Sequence, residues 1–396
     1  MRIAFLTAGG LAPCLSASIA YLINAYSKTN RQIEFFGYQN GYKGLLLGQK
    51  ISIPQEISDK TDLLASYGGT PIGNSRVKLT NIENCIKHGY IKENQTPLHV
   101  ASEQLKSDKI DILHTIGGDD TNTSAGDLAK YLNENNYSLT VVGLPKTVDN
   151  DVYPIKQTLG AFTAAEQGAL FFSNIVNENT TSSRQLIIHE VMGRHCGWLT
   201  AATAYKYREK LNAKQFIPEV LIEKNKWDIH AIYLPEKKID FNAECIRLNK
   251  VMNDYDCVNI FLSEGAGLDT IINEMKEKDE EIKYDAFGHV RLDEINPGQW
   301  FAKNLKKQLN ADKVLVQKSG YFSRSAAPNL EDKKLIKKTS EIAVKSALNK
   351  ISGVIGIDED NNEELSCIEF NRIKGGKPFD INTDWFVETL KNIGQK

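Results

Sequence analysis

Short apolar runs alternate with helical patterns along much of the chain. The runs with strand-like length and β-branched residues are residues 2–7, a run beginning near Ile33, 111–116, 139–144, 185–191 and 257–262. The helical patterns start near Leu15 or cover about 121–133 and 160–176. Continuous apolar strands that alternate with helices are typical of parallel sheets covered on both faces. The pattern therefore predicts an α/β fold, with a change of domain in the helix after Asp151.

Polar clusters follow four of these runs, at residues 9–10, 117–120, 146–151 and 192–194. In parallel sheets, ligands bind outside the carboxyl ends of the strands. Strands 111–116 and 139–144 are joined by one helix, so we expect them to be parallel neighbours. The loops that carry Asp119 and Asp149 should therefore face one site.

The segment "KTVDND" places two acids beside this edge. If the segment is extended, Thr147, Asp149 and Asp151 point to the same side. Two carboxylates near a cation can divide labour, one holding the metal and the other accepting a proton from an attacking hydroxyl. An Asx turn is the structural alternative, because Asn-Asp is common in turns.

Two glycine pairs, in "TAGGLAP" and "TIGGDD", also follow strands. Glycine lets the backbone approach a phosphate closely, and a helix N-terminus favours an anion. Asp119, at the start of the second helix, is either an N-cap or a ligand of Mg²⁺. Arg76, Arg194 and Arg324 follow glycine-rich loops or strands, and their guanidinium groups suit phosphate oxygens, although each is alternatively an ordinary surface residue.

The composition narrows the class of protein. Of the 396 residues, 41% are hydrophobic and 25% are charged. The length is sufficient for two ordinary globular domains. The net charge of −2 gives no basic field for nucleic acid or an anionic membrane. The six cysteines form no C-x-x-C pair, and no apolar run approaches the ~20 residues that span a bilayer. We therefore expect a soluble cytoplasmic protein.

The motifs "GGDD", "PKTVDND", "MGRHCGW", "SEG" and "GYFSRS" occur in this order. The set resembles the phosphofructokinase family, and in particular its pyrophosphate-dependent branch, over most of the chain. The resemblance implies two Rossmann-like three-layer domains with largely parallel sheets and the active site in the cleft between them. We expect a donor domain of residues 1–163 plus about 322–360, and a sugar-phosphate domain of 164–321 plus 361–396.

The resemblance also implies a reaction of glycolysis and gluconeogenesis, the reversible, Mg²⁺-dependent transfer of a phosphoryl group to the 1-hydroxyl of fructose 6-phosphate. Asp149 matches the general base, Asp119 the magnesium-binding acid and Gly10 the donor-loop glycine, while Arg76 matches an arginine on the transferring phosphoryl group. The matches to sugar-phosphate contacts are Thr147, Val148, Asp149, Met192, Gly193, Arg194, Glu264, Tyr321, Phe322, Ser323 and Arg324.

Asp120 and Lys146 indicate which donor is used. ATP-using relatives usually carry glycine at both positions, and Asp120 resembles a residue that fills the space of the nucleotide's α-phosphate. Like charges at ~4 Å repel by roughly 4 kcal/mol at an effective dielectric near 20, so an acid here should exclude ATP. Lys146 supplies the offsetting positive charge that a leaving phosphate needs.

Two positions depart from the family pattern. Many relatives bind the 6-phosphate with arginines of a neighbouring subunit, and this chain has Leu186 and Leu315 where these are expected. Arg184 and Lys318 are nearby cations that could substitute. We expect a homodimer or a tetramer, with the inter-subunit contacts in doubt.

Other functions predict different features. An ATP-dependent 6-phosphofructokinase would use ATP rather than pyrophosphate. A dinucleotide-dependent oxidoreductase requires G-x-G-x-x-G after the first strand, which "AGGLAPC" lacks. A non-catalytic sugar-phosphate sensor would have lost part of the acid set, yet Asp119, Asp149 and Asp151 are all present. Sedoheptulose 7-phosphate is an alternative sugar substrate.

Overall fold

The computed structural model describes residues 1–29, 31–283 and 291–395, apart from the side chain of Asp293. Within these ranges the strands are β1 (Arg2–Thr7), β2 (Glu34–Tyr38), β3 (Lys50–Ile53), β4 (Ile112–Gly117), β5 (Thr140–Pro145), β6 (Gln185–Val191), β7 (Ala231–Tyr233), β8 (Cys257–Ser263), β9 (Lys313–Lys318), β10 (Gly353–Asp358) and β11 (Glu364–Ile368).

The α-helices of the same ranges are α1 (Leu15–Ser27), α2 (Tyr42–Leu47), α3 (Thr61–Leu64), α4 (Ile82–Lys87), α5 (Pro97–Ser107), α6 (Asp119–Glu134), α7 (Ala161–Ile175), α8 (Trp198–Asn212), α9 (Lys224–Trp227), α10 (Phe241–Tyr255), α11 (Leu268–Glu277), α12 (Leu292–Ile295), α13 (Pro297–Leu309), α14 (Gly320–Arg324), α15 (Leu330–Leu348) and α16 (Asp384–Asn392). None of these helices is both long and apolar enough to cross a lipid bilayer.

The chain forms two compact units. The first comprises Met1–Thr163 and Arg324–Lys377, and the second comprises Ala164–Ser323 and Pro378–Lys396. The chain first passes from one unit to the other within α7. The sequence analysis assigned residues 361–377 to the second unit, and this assignment is wrong, because β11 pairs antiparallel with β10 in the sheet of the first unit.

The first unit contains a seven-stranded sheet in the order β11-β10-β5-β4-β1-β2-β3. Strands β4 and β5 are parallel neighbours, as predicted, and β4 also pairs parallel with β1. Consecutive residues of β1, from Ile3 to Leu6, are fully buried. Because alternate side chains of a strand point to opposite faces, helices must cover both sides of this sheet. The carboxyl ends of β1, β4 and β5 therefore meet at one edge.

The second unit contains a four-stranded parallel sheet in the order β7-β8-β6-β9. All residues of β6 and β8 are buried, which explains why both read as continuous apolar runs. The α/β fold predicted from the sequence is confirmed. Five strands of the described ranges were not predicted from the sequence. The strands β3, β7, β9 and β11 are short or half exposed, whereas β10 is mostly buried but has two glycines that interrupt its apolar pattern.

Candidate active site

In the first unit, the loop after β1 approaches the segment that carries Arg76. Gly9 has a positive φ of 85°, its N–H donates to the Ser75 carbonyl at 2.8 Å, and its own carbonyl accepts from Asn74 Nδ2 at 2.6 Å. A Cβ added to Gly10 would lie 4.0 Å from a terminal nitrogen of Arg76. The structure therefore brings the predicted donor-loop glycine beside the predicted phosphoryl-binding arginine.

Lys146, which follows β5, extends into the same loop. Its side chain is buried, its Nζ donates to the Gly10 carbonyl at 2.5 Å, and a Cβ on Gly9 would lie 3.1 Å from that Nζ. Burial and, to a smaller extent, the positive charge of Arg76 lower the pKa of the Lys146 ammonium, while Cys14 and the nearby acids oppose this shift, so that the pKa is about 8. A buried cation held beside two glycines is an effective anion-binding group, because water screens it little.

The turn between β4 and α6 requires a glycine at position 117. A Cβ on Gly117 would lie 2.3 Å from Thr121 Oγ1, and Asn122 Nδ2 donates to the carbonyls of Gly117 and Gly118. The N-cap of α6 is Gly118, so the alternative of Asp119 as the N-cap is wrong. Asp119 is the first residue of the helix, where its negative charge interacts favourably with the helix dipole.

The two acids of "GGDD" have different surroundings. Asp120 is 59% exposed and forms an ion pair with Lys78, with a distance of 2.7 Å from Nζ to Oδ2. Lys146 donates instead to a backbone carbonyl, and Lys78 is the cation that pairs with Asp120 in the structure. Solvent and the Lys78 charge screen Asp120. Its repulsion of an anion is therefore well below the roughly 4 kcal/mol that applies to two like charges at ~4 Å and an effective dielectric near 20. Lys78 was not predicted as the partner of Asp120, because the two residues lie in separate segments of the sequence.

The segment after β5 is a turn rather than an extended strand. Asn150 has a positive φ of 56°, and the Asp149 N–H donates to Thr147 Oγ1 at 3.1 Å. Of the two alternatives for this segment, the structure therefore favours the turn over the extended geometry that would place Thr147, Asp149 and Asp151 on one side. Asparagine tolerates the left-handed region because its side chain can make local hydrogen bonds.

The buried Asn150 side chain holds this turn in place. Its Nδ2 donates to the Lys156 carbonyl at 3.0 Å, and its Oδ1 accepts from the Thr158 N–H at 2.8 Å. We expect Asn150→Ala to lower the free energy of unfolding by about 2–4 kcal/mol, since it loses buried hydrogen bonds and places alanine at positive φ. Denaturant unfolding measures this. Asn136→Ala is the control, at a comparable φ of 57° but an exposed site, and equal losses in both variants would contradict the role of the Asn150 hydrogen bonds.

The acids of this unit form a suitable set of oxygen ligands for a metal. Burial raises the pKa of the Asp151 carboxyl above its usual range, and the negative charge of Asp119 raises it further. The two carboxylates therefore lie near enough to interact. Among the described residues, no group of three or more His, Cys, Asp or Glu could hold a metal by itself. Magnesium is usually held by one or two carboxylates together with substrate phosphates and water, so Asp119 and Asp151 fit it.

In the second unit, the loops after β6 and β8 are joined through Gly193. Gly193 has a φ of 126°; its N–H donates to Glu264 Oε1 at 3.3 Å, and its carbonyl accepts from Ser263 Oγ at 2.5 Å. Burial raises the pKa of the Glu264 carboxyl, while the Gly193 hydrogen bond and the Arg194 charge oppose this rise. These contacts bring the predicted residues Gly193, Arg194 and Glu264 together.

The short helix α14 carries the next predicted group. Tyr321 and Phe322 are exposed, whereas Ser323 is buried and its N–H donates to the Ser319 carbonyl at 2.8 Å. A Cβ on Gly320 would lie 3.1 Å from Met192 Cγ, so the start of α14 lies against the loop after β6. Arg324, the last residue of α14, clusters with the first unit.

The sequence also matches known proteins. Residues 2–347 match the family described as Phosphofructokinase. The chain belongs to the phosphofructokinase family. It is 55% identical over 394 residues to a protein of Methylotuvimicrobium alcaliphilum, and the match covers 100% of this chain and 96% of that protein. A protein of Propionibacterium freudenreichii is 51% identical over 394 residues, with 100% and 98% coverage. Both are named "Pyrophosphate--fructose 6-phosphate 1-phosphotransferase".

A solved structure supports the fold. The crystal structure of the pyrophosphate-dependent phosphofructokinase from Nitrosospira multiformis matches with a TM-score of 0.73 and 20% sequence identity, covering 100% of this chain and 92% of that chain. At this identity the likeness concerns the fold alone. It agrees with the largely parallel sheet of the first unit and the parallel sheet of the second unit.

The leucines that depart from the family pattern lie in β6 and β9. Leu186 is fully buried within the core of the second unit, so this position does not face solvent within the chain. Arg184 lies at the opposite end of β6 from Gly193, and its guanidinium donates to the carbonyls of Leu309 and Asn310. Arg184 therefore caps α13 and is a poor substitute for the missing arginine.

Two residue pairs at the carboxyl ends of β6 and β9 were not predicted as pairs, although Lys318 was named as a nearby cation. Lys318 forms an ion pair with the buried Glu190 at 2.8 Å, at the carboxyl end of β6. His189 Nε2 lies 2.8 Å from Ser319 Oγ, and burial lowers the pKa of His189 to about 3, so its ring is neutral. A polar residue within an apolar strand, immediately before "EVMGR", is the signal that was available.

Proposed function

We propose that this phosphofructokinase is a pyrophosphate–fructose 6-phosphate 1-phosphotransferase of glycolysis and gluconeogenesis. It transfers a phosphoryl group reversibly from pyrophosphate to the 1-hydroxyl of fructose 6-phosphate, giving fructose 1,6-bisphosphate and phosphate. The observation that carries this proposal is the 55% identity, over the whole chain, with a protein of that name. The polar loops described above support it, because each supplies a group that phosphoryl transfer needs.

In the first unit, we propose that Gly10, Arg76 and Lys146 bind pyrophosphate. Gly10 leaves space for the anion, and the two cations balance its charge and the charge that develops on the leaving phosphate. Asp119 holds magnesium, and Asp151 is a second acid of that site. When bound, the metal neutralises phosphate oxygens and polarises the phosphorus centre. The supporting observation is the buried Lys146 ammonium beside Gly9 and Gly10.

Asp149 accepts the proton of the 1-hydroxyl as the nucleophile attacks the phosphoryl group. We propose that the backbone and side chains around Gly193 and Glu264 bind the sugar, while Arg194 and Arg324 provide charge for its phosphate. Thr147, Val148, Met192, Tyr321, Phe322 and Ser323 complete the proposed contacts. The shared hydrogen bond from Gly193 to Glu264 supports this assignment, since it fixes two of these loops to each other.

Asp120 is the residue that we propose selects pyrophosphate over ATP. Asp120 is exposed and paired with Lys78, so its electrostatic repulsion of ATP is limited. The volume of the Asp120 and Lys78 side chains is therefore the larger obstacle to the α-phosphate of ATP. We further propose that the protein is cytoplasmic and homo-oligomeric, with fructose 6-phosphate as its sugar; sedoheptulose 7-phosphate is the alternative sugar.

A comparison of donors tests the proposal directly. Purified protein with fructose 6-phosphate and Mg²⁺ should form fructose 1,6-bisphosphate with pyrophosphate and show little turnover with ATP. Substantial turnover with ATP and none with pyrophosphate would instead identify an ATP-dependent 6-phosphofructokinase. Binding of the sugar without turnover of either donor would identify a non-catalytic sensor.

A further inference from the structure

A glycine-rich segment near the end of the first unit, residues 374–377, runs beside the loop that carries the acids. Lys374 and Tyr153 exchange two backbone hydrogen bonds, of 3.0 Å and 2.8 Å. The Lys377 N–H donates to the Asp151 carbonyl at 2.9 Å. Residues 374–377 are therefore hydrogen-bonded to the backbone that follows Asp149, although the two segments are far apart in sequence.

Gly375 lies directly against the Asp119 carboxylate. A Cβ built on Gly375 would lie 1.9 Å from Asp119 Oδ2 and 2.6 Å from Asp119 Cγ. Both distances are far below van der Waals contact, so any other residue at position 375 must displace one of the two groups. Gly375 does not have a positive φ, so the requirement for glycine is one of space rather than of backbone conformation.

The segment is also anchored on its other side. Lys377 Nζ donates to the Ile155 carbonyl at 2.6 Å and to Glu359 Oε1 at 3.0 Å. Because backbone and side-chain bonds both hold the segment, a side chain at position 375 should move the Asp119 carboxylate more readily than the segment. The Asp119 side chain can rotate about its own bonds, whereas the segment must break several hydrogen bonds to retreat.

We propose that Gly375 is a positioning residue for Asp119, and that the backbone of residues 374–377 forms one wall of the pyrophosphate–magnesium site. The inference rests on the proposed function, which assigns the metal to Asp119. It adds a segment that lies beyond residues 2–347, the range matched by the family, to the residues that determine donor binding.

The experiment uses the full chain and measures bound Mn²⁺ by electron paramagnetic resonance in the presence of pyrophosphate. Gly375→Ala should weaken Mn²⁺ binding about tenfold or more, since displacing a metal ligand or its support typically costs 10- to 100-fold in affinity. The KM for fructose 6-phosphate should remain unchanged. Gly89→Ala is the control for a general loss of stability, because Gly89 lies in the same unit and has open space around its Cβ position, so that only its φ of 69° strains alanine.

A double-mutant cycle tests whether Gly375→Ala weakens Mn²⁺ binding through the Asp119 carboxylate. In an Asp119→Asn background, Gly375→Ala should weaken Mn²⁺ binding by less than about twofold, because the group on which it acts has gone. Equal losses in both backgrounds would overturn the inference. Lys377→Met provides a second variant that adds no atom beside Asp119, and it should weaken Mn²⁺ binding severalfold by loosening the segment.

The outcomes separate the two proposals. Wild-type Mn²⁺ binding in a folded Gly375→Ala protein, or in Lys377→Met if the first variant does not fold, would overturn the inference and leave the proposed function intact. A wild-type protein that binds no Mn²⁺ with pyrophosphate would refute the proposed function and the inference with it.

Discussion

Asp149→Ser should reduce kcat by about 10²- to 10⁴-fold while fructose 6-phosphate still binds, because serine cannot accept the proton of the attacking hydroxyl at neutral pH. Serine retains a small polar side chain, and the Asp149 N–H can keep its hydrogen bond to Thr147 Oγ1. Steady-state kinetics with pyrophosphate gives kcat, and calorimetric titration with fructose 6-phosphate gives the affinity.

The matched variant is Asp149→Asn, which keeps the shape of the side chain and removes its basicity. Both variants should lose kcat to a similar extent if proton transfer is the role of Asp149. An unchanged kcat in either variant would exclude Asp149 as the base. A loss confined to KM would show that Asp149 binds substrate without taking part in the chemistry.

Asp120→Gly combined with Lys146→Gly should lower kcat/KM for pyrophosphate at least about 100-fold and allow measurable turnover of ATP. The loss follows from Lys146, whose buried ammonium sits beside Gly9 and donates to the Gly10 carbonyl. Removing a charge that stabilises the leaving phosphate typically costs several kcal/mol of transition-state stabilisation. The gain of ATP use follows from the space that the two side chains vacate.

The single variants separate these contributions. Asp120→Gly alone should change pyrophosphate use less than about tenfold, because Asp120 is exposed and paired with Lys78. Lys146→Gly alone should account for most of the lost pyrophosphate activity. If the double variant keeps its full pyrophosphate rate and gains no use of ATP, the assignment of donor choice to these residues is wrong.

The local sequence predicted the central strands and helices well, because strands buried on both faces leave continuous apolar runs. The prediction for β6 matches its bounds, and α6 begins only two residues before the predicted start. The edge strands β3 and β11 were missed because half-exposed antiparallel strands carry a weaker pattern. The position of residues 361–377 was missed because it depends on the pairing of β11 with β10, which no local pattern specifies.

In the candidate site, too, contacts among the motif residues could be predicted from the sequence, whereas contacts with residues outside the motifs could not. The structure brings together Gly10, Arg76 and Lys146, and likewise Gly193, Arg194 and Glu264, as the motifs predicted. Contacts between distant segments, such as Lys78 with Asp120, could not be predicted, since each partner looks like an ordinary surface residue in its own segment. The sequence left a turn and an extended segment as alternatives at Asn150, because its left-handed conformation depends on hydrogen bonds to residues 156 and 158.

Each unit is built from two separate stretches of the chain, and this determines when each unit can fold during synthesis. Strand β10, which follows residues 164–323 of the second unit in the sequence, pairs with β5, and α15 packs against α1. The second unit in turn needs its last residues, because the Gln395 side chain bonds both backbone groups of Ile232 in the edge strand β7. The first unit is therefore complete only after residue 377 has been synthesised, and the second only after Gln395. A chain truncated before β10 would leave both units unfinished with exposed strand edges, which favour aggregation.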